Sequence, residues 1–334
     1  MKKTPLLFAA FLFLFSSLIS TGSSALTLKI ATLAPAGTNW MKQMKIGAEA
    51  ITEKTDGRVK IKFYPGGVMG NDQSVHRKIR INQLQGGAFS SSGLAHADNS
   101  IQALSLPMLF RSFEEVDYVR ARMDERIKEH VAENGFIILG ISEGGFARIL
   151  SNRPISNMQD IRDTRVWIPE GDELSEQTFR TMGITPIPLP IADVFTGLQT
   201  GLIETIASTS TGAIAFQWHS KINHIVDIPV SYVIGILAVD RKRFNRIKPA
   251  DQKIVIEEMN TVFANLDKIN RQDNIDAFNA LKSQGIASFR PPEDEIQRWQ
   301  QFSEESIQDM INQGMVDKDI VDEILQLLAE YRQK

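Results

Sequence analysis

The sequence of 334 residues contains no cysteine. That excludes a disulfide framework, thiolate metal sites, a cysteine nucleophile and a lipid anchor on an N-terminal cysteine. Histidine is scarce and scattered, at His76, His96, His130, His219 and His224. His219 and His224 stand five apart, which is neither the i, i+4 pair of a helical metal site nor a zinc-finger spacing, so no metal is expected. The chain also lacks a G-x-S-x-G elbow, an HExxH helix, a Walker-type glycine loop and a GxGxxG turn. Nothing therefore points to a cofactor or to a familiar hydrolase. The carboxylates fall mostly on amphipathic helices, where a solvated face is the default. Paired carboxylates from distant loops leave no linear motif, so a periplasmic enzyme with an unrecognised carboxylate site stays open as an alternative.

Beyond residue 25 there is no apolar run long enough to span a bilayer. The first 25 residues carry a short basic start (MKKTP), an apolar core (LLFAAFLFLFSSLIS) and small residues at Ser23 and Ala25. This reads as a secretory signal cleaved after Ala25, with an uncleaved membrane anchor as the alternative. After cleavage the chain is expected to be soluble and not membrane-spanning. Loss of Lys2 and Lys3, with no acid, takes the formal charge from −3 to −5. That balance gives no electrostatic reason to bind nucleic acid or anionic lipid. An exported chain without disulfides must take its stability from its core. Its length and its 43% apolar content allow two domains of ordinary size. A bacterial periplasm is the natural location.

What is present is an alternation of strands and helices. LTLKIAT, RVKIKFY, GGAFS and FIILGIS read as strands. Between them lie a helix carrying Trp40, Met44, Ala48 and Ile51, a helix near Asn71 to Leu84, and a long helix from the N-cap candidate Ser112 to about Asn134. This predicts an α/β domain with a mostly parallel sheet. After Gly144 the pattern restarts with the short strand candidates FARILSN, RVWIP, ITPIPLP, IETIAST and NHIVDIP. A helix there places Leu174, Thr178, Phe179 and Met182 on one face, and VIGILAV is an apolar strand able to return to the first domain. From Pro249 to Gln284 no residue breaks a helix, which would run roughly 50 Å. Its apolar seam is interrupted at NRQDN, the expected place for a crossing between domains. Two further helices are expected near 292–313 and 317–332.

Several stretches together resemble a known family: LKIATLAPAGTNW, KTDGRVKIKFYPGGVMGND, LSLPMLFRSFEE, FARILSNRPISNMQDIRD and MGITPIPLPIADVFTGLQTGLIET. In this order they resemble the extracytoplasmic solute receptors of tripartite ATP-independent periplasmic (TRAP) transporters, the DctP type. The resemblance implies an α/β, two-lobe periplasmic binding protein (type II-like) with mixed sheets and a long helix spanning both lobes. It implies lobe I at residues 26–147 plus about 233–265. Lobe II would be residues 148–232 plus about 266–334, including the C-terminal helices. It also implies no enzymatic activity, closure over a small organic ligand, and delivery to the small and large permease subunits in the membrane.

Most members bind organic acids through an arginine in a K-x-R-x-P pattern, whose planar fork suits a carboxylate. Here that stretch is RVWIP, and Trp167 occupies the arginine position. The family's usual asparagine downstream is matched by Ser208, whereas a second frequently used arginine is matched by Arg148. Trp167 reads as pocket or core, with the neighbouring Val166 and Ile168 turned to the core. Arg148 is a ligand contact or half of an ion pair, with Glu170 or Glu143 as the partner. Glu170 is itself a candidate contact. Arg165 is an alternative clamp or a structural ion pair. Ser208, Thr209 and Ser210 are cleft contacts or helix caps. Phe89, Ser90 and Ser91 match a cleft-lining strand end, Trp40 divides between core and cleft, and Gln217 and Trp218 read as core. A large indole in place of a guanidinium predicts a neutral, apolar or aromatic ligand rather than a simple dicarboxylate. A monocarboxylate held by Arg148 is the alternative.

Overall fold

A computed structural model describes residues 25–333. Residues 1–24 of the expected signal segment lie outside the described residues. The chain opens as β1 (Leu26–Thr32), α1 (Asn39–Lys54), β2 (Val59–Tyr64), α2 (Asp72–Arg80), β3 (Gly86–Ser90) and α3 (Ser91–Ala95). A 3-10 turn (Ser100–Ser105), α4 (Phe113–Glu133) and β4 (Phe136–Ser151) follow. Next come α5 (Met158–Arg162), β5 (Trp167–Pro169), α6 (Glu173–Thr181) and β6 (Ile187–Leu189). Then come α7 (Val194–Thr200), β7 (Thr205–Ser208), α8 (Ser210–Ala215), β8 (His224–Asp240) and α9 (Arg241–Phe244). The chain ends with α10 (Pro249–Ser283), β9 (Ala287–Phe289), α11 (Glu293–Asn312) and α12 (Lys318–Arg332). Ser112 caps α4 as expected, its hydroxyl accepting the Glu115 amide.

The large sheet runs β2-β1-β3-β8-β4-β7, with β9 beside β8, and β5 and β6 form a separate parallel pair. Within the large sheet β2-β1-β3 and β8-β9 pair in parallel, and β3-β8, β8-β4 and β4-β7 are antiparallel. The expected parallel domain is thus a mixed one. FIILGIS and FARILSN are two halves of the single strand β4, and NHIVDIP and VIGILAV are two halves of β8. The first half of β4 pairs with the second half of β8, which also borders β3. Beyond the crossing, β4 pairs with β7 and with the start of β8. The two long strands therefore run through both lobes, and β4 is irregular at Ile138/Gly140, Glu143/Gly145 and Ala147/Ile149.

Helix α10 lies along this crossing as one uninterrupted helix. Its first seam, Val255, Met259, Val262 and Leu266, is buried against Leu28, Ile30, Leu237 and Val239 of lobe I. Gly140 lets the helix approach, since a Cβ there would fall 2.2 Å from the Phe263 ring. Where the seam breaks, polar groups take over. Asn270 Nδ2 donates to the Glu143 carbonyl (2.5 Å), and Asn274 Nδ2 donates to the Gly144 carbonyl (2.7 Å). Gly145 adopts φ +96°, and a Cβ on it would strike Asn274. Arg271 reaches Glu143, which is fully buried, at 2.8 Å and Asp117 of α4 at 2.5 Å. Arg120 joins the same group through Asp124, Asp267 and the Tyr232 hydroxyl.

Lobe II is built around Leu150, Trp167, Val194, Ile206 and Trp218 on one side of β5 and around Ile161, Val166, Met182 and Trp299 on the other. Helix α12 does not join it. Ile320, Val321, Ile324 and Leu328 pack with Val116, Val119, Met123 and Ile127 of α4, in the lobe I core, so the last helix returns to the first lobe. Arg332 secures it by a two-pronged bond to the buried Glu115.

Removal of the arginine would leave Glu143 buried without its cation. Arg271→Ala should cost about 3 kcal/mol of unfolding free energy at pH 8, the low end for a buried pair because Arg271 is partly exposed. The loss should shrink at pH 5, where Glu143 can take up a proton, since burial already raises its pKa. Urea unfolding at the two pH values measures both.

Candidate ligand-binding site

A cavity of about 350 Å³ lies between the lobes and continues beneath α6 toward α11. Lobe I contributes Ser90, Ser91 and Ser92 from the junction of β3 and α3, then Gln102 and Ser105 from the 3-10 turn. Lobe II contributes Trp167, Ser208, Thr209, Phe216 and Trp218. The deep end is walled by Met158, Met182, Phe179 and Trp299. Apolar walls with a few placed polar groups are the usual form of a small-molecule site.

Trp167 is only 4% exposed, and both readings of it hold. Its ring packs in the lobe II core, edge to face with Trp218 at 5.4 Å, and it also walls the cavity. Its Nε1 donates to the Leu189 carbonyl at 3.0 Å, which fixes the indole plane. Phe216 stacks on Trp218 at 5.0 Å, extending the aromatic wall. The strand buries both faces: Val166 packs against Ile161 and Met182, while Trp167 packs toward α7 and α8. Trp218, expected as core, is core and wall together.

Ser90 and Thr209 also serve twice. Ser90 Oγ caps α3 by accepting the Gly93 amide, and Thr209 Oγ1 caps α8 by accepting the Gly212 amide. Ser208 Oγ donates to the Thr209 carbonyl at 3.1 Å.

Half of the expected contacts stand off the cavity wall. Arg148 donates from Nε to Asp227 at 2.9 Å and lies over the Phe278 ring at 4.5 Å, so its partner is neither Glu170 nor Glu143. Glu170 accepts from Asn71 Nδ2 at 2.9 Å and ties the two lobes together beside the cleft. Phe89 is buried in lobe I, stacked on His76 at 4.7 Å. Trp40 packs edge-on against Phe63 in the core below α10. Ser210 is buried inside the first turn of α8. Arg165 is a structural ion pair, bonded to Glu204 (2.9 Å) and the Gly201 carbonyl.

Sequence reasoning missed Gln102, Ser105 and Trp299, and it had no reason to bring α11 to the site. Among the described lining residues there is no lysine, arginine or histidine, and Asp172 is the sole charged one. Asp172 caps α6, accepting the Ser175 amide and hydroxyl. Burial pushes its pKa up, against the bonds from Ser175. No cluster of described residues could hold a metal ion, and no described helix is long and apolar enough to cross a membrane.

Two lobes joined by crossing strands, with a walled cavity between them, define a solute-binding protein. The family profile of bacterial extracellular solute-binding protein family 7, DctP, matches residues 30–313. The chain therefore belongs to this family of TRAP periplasmic receptors, which are binding proteins and not enzymes. It is 25% identical over 213 residues to the uncharacterized protein YiiZ of Salmonella typhimurium, a match spanning 62% of this chain and 64% of that protein. It is 20% identical to the 2,3-diketo-L-gulonate-binding periplasmic protein YiaO of Escherichia coli, over 71% of this chain and 73% of that one. Its fold matches a TRAP periplasmic solute-binding protein of Xanthobacter autotrophicus with bound β-D-galacturonate. That match has a TM-score of 0.83 and 17% identity, covering 90% of this chain and 99% of the other.

One titration beside the cleft can be predicted. Burial raises the Asp72 pKa from 3.8 to about 6, while a bond from Ser90 and the nearby His96 oppose it. The folded-state value is the higher one. The stability this group contributes is thus fully present below about pH 4 and is lost as the pH rises through 6. In urea melts the stability of wild type relative to Asp72→Asn should fall between pH 4 and pH 7, and a flat difference would contradict the assignment.

Proposed function

We propose that this chain is the receptor of a TRAP-type transporter for a neutral small organic solute with an apolar or aromatic body. It would deliver that solute to the small and large permease subunits. The observation that carries the reading is the lack of any basic side chain among the described cavity walls, with tryptophan at the position where the family resemblance implies an arginine. A carboxylate entering there would lose its water without gaining a cation and would meet Asp172. Indole and phenyl walls instead reward apolar area and π faces.

The second reading, an organic acid, is favoured by what the relatives bind, galacturonate and 2,3-diketo-L-gulonate among them. The hydroxyls of Ser90, Ser91, Ser208 and Thr209 on the cavity wall are its best support. It would be stronger if Arg148 turned inward, but Arg148 would then give up Asp227 and Phe278.

Three of the four tryptophans, Trp167, Trp218 and Trp299, wall the cavity, so binding should change intrinsic fluorescence. In a titration of ligand-free protein, neutral aromatic solutes should give saturable changes while succinate and galacturonate give none. Trp167→Phe should reduce the signal, and Arg148→Ala should leave affinity unchanged. Micromolar binding of a dicarboxylate or a sugar acid, lost in Arg148→Ala, would decide for the second reading.

A further inference from the structure

We propose that Gln102 is the specificity-determining residue of the cavity. With Ser105 it selects a ligand carrying a neutral group that both donates and accepts hydrogen bonds, the carboxamide class. The inference rests on the reading of the cavity as a site for neutral solutes and adds the polar group of that solute.

Gln102 is 5% exposed and stands on the cavity wall, yet its carboxamide has no hydrogen-bond partner among the described residues. Ser105 Oγ, on the same wall, is fully buried and without a partner, whereas the Gln102 amide keeps some surface open to the cavity. Both belong to the 3-10 turn, where residues three apart eclipse one another, so the two groups lie on one face of the turn. Their neighbours Ile101, Ala103 and Leu104 are fully buried and anchor that turn in the lobe I core.

An amide largely withdrawn from solvent and without a protein partner is penalised, and packing alone would be served better by leucine. A paired amide offers one carbonyl acceptor and two N–H donors without net charge. It therefore matches a ligand amide, which returns a donor and an acceptor, and gives an anion none of the attraction of a guanidinium. A site built around such a bond rejects analogues that cannot make it far more strongly than an apolar pocket discriminates by size.

The test uses the full mature chain, freed of endogenous ligand by dialysis from denaturant and refolding. Three probes share one shape: phenylacetamide, phenylacetate and the apolar isostere isobutylbenzene. Calorimetric titration should show wild type binding phenylacetamide at least about tenfold tighter than phenylacetate. Gln102→Leu should lose at least about tenfold in amide affinity while holding isobutylbenzene as well as wild type or better, and Ser105→Ala should weaken the amide alone. Without ligand, Gln102→Leu should melt at or above the wild-type temperature, because an unpaired group has been removed. Equal amide affinity in wild type and Gln102→Leu, or a lower melting temperature for that variant, overturns the assignment while leaving the neutral-solute reading in place. Failure of wild type to bind phenylacetamide or isobutylbenzene overturns both.

Discussion

A buried carboxylate at the crossing between the lobes sets how the whole chain is joined. Glu143 has no contact with solvent, so its charge must be matched within the protein. Arg271 supplies the match, and it can do so only because α10 runs unbroken past the crossing. That requirement accounts for the polar interruption in the α10 seam, where Asn270 and Asn274 satisfy the carbonyls of Glu143 and Gly144. It also accounts for Gly145, the position at which β4 must leave regular strand geometry beneath Asn274. The Tyr232 hydroxyl donates into Glu143 while its ring walls the cavity, so the crossing and the binding site are one connected network.

The cavity inherits its position from this joint and its chemistry from local choices. Strand β5 enters it with a tryptophan whose N–H is already spent on Leu189, leaving the ring face and not a donor for the ligand. Arg148, within β4 between the cavity-lining Ala147 and Ile149, is held off the wall by Asp227 and by the Phe278 ring. The polarity that remains is hydroxyl and amide, with one carboxyl at Asp172 whose pKa burial raises. The fold is matched by a receptor with bound galacturonate, and these residues are the ground on which a neutral solute is proposed instead.

Much of this was legible beforehand. The strand and helix order followed from periodicity, and α10 was bounded from Pro249 to within a residue of its observed end. The break at NRQDN marked the crossing because polar residues on a buried seam require partners. What could not be read was long-range. Two apolar runs separated by a glycine pair look like two strands, yet β4 continues through Gly144 and Gly145 because α10 supplies hydrogen bonds to the Glu143 and Gly144 carbonyls. Nothing in the α12 sequence says which lobe its apolar face will meet. Trp167, Ser90, Ser91, Ser208 and Thr209, put forward through the family resemblance, stand on the cavity wall, whereas Gln102 stood unremarked in an apolar turn. Its signal was a polar residue flanked by core positions, which becomes informative only once its burial and lack of a partner are known.

Mass spectrometry under native conditions on the protein exported by its own host tests the central claim most directly, because the solute captured in the cell is then weighed without any choice of probe. The account predicts a single bound neutral molecule with an apolar or aromatic body, released on unfolding. A bound dicarboxylate or sugar acid at the same stoichiometry would contradict it.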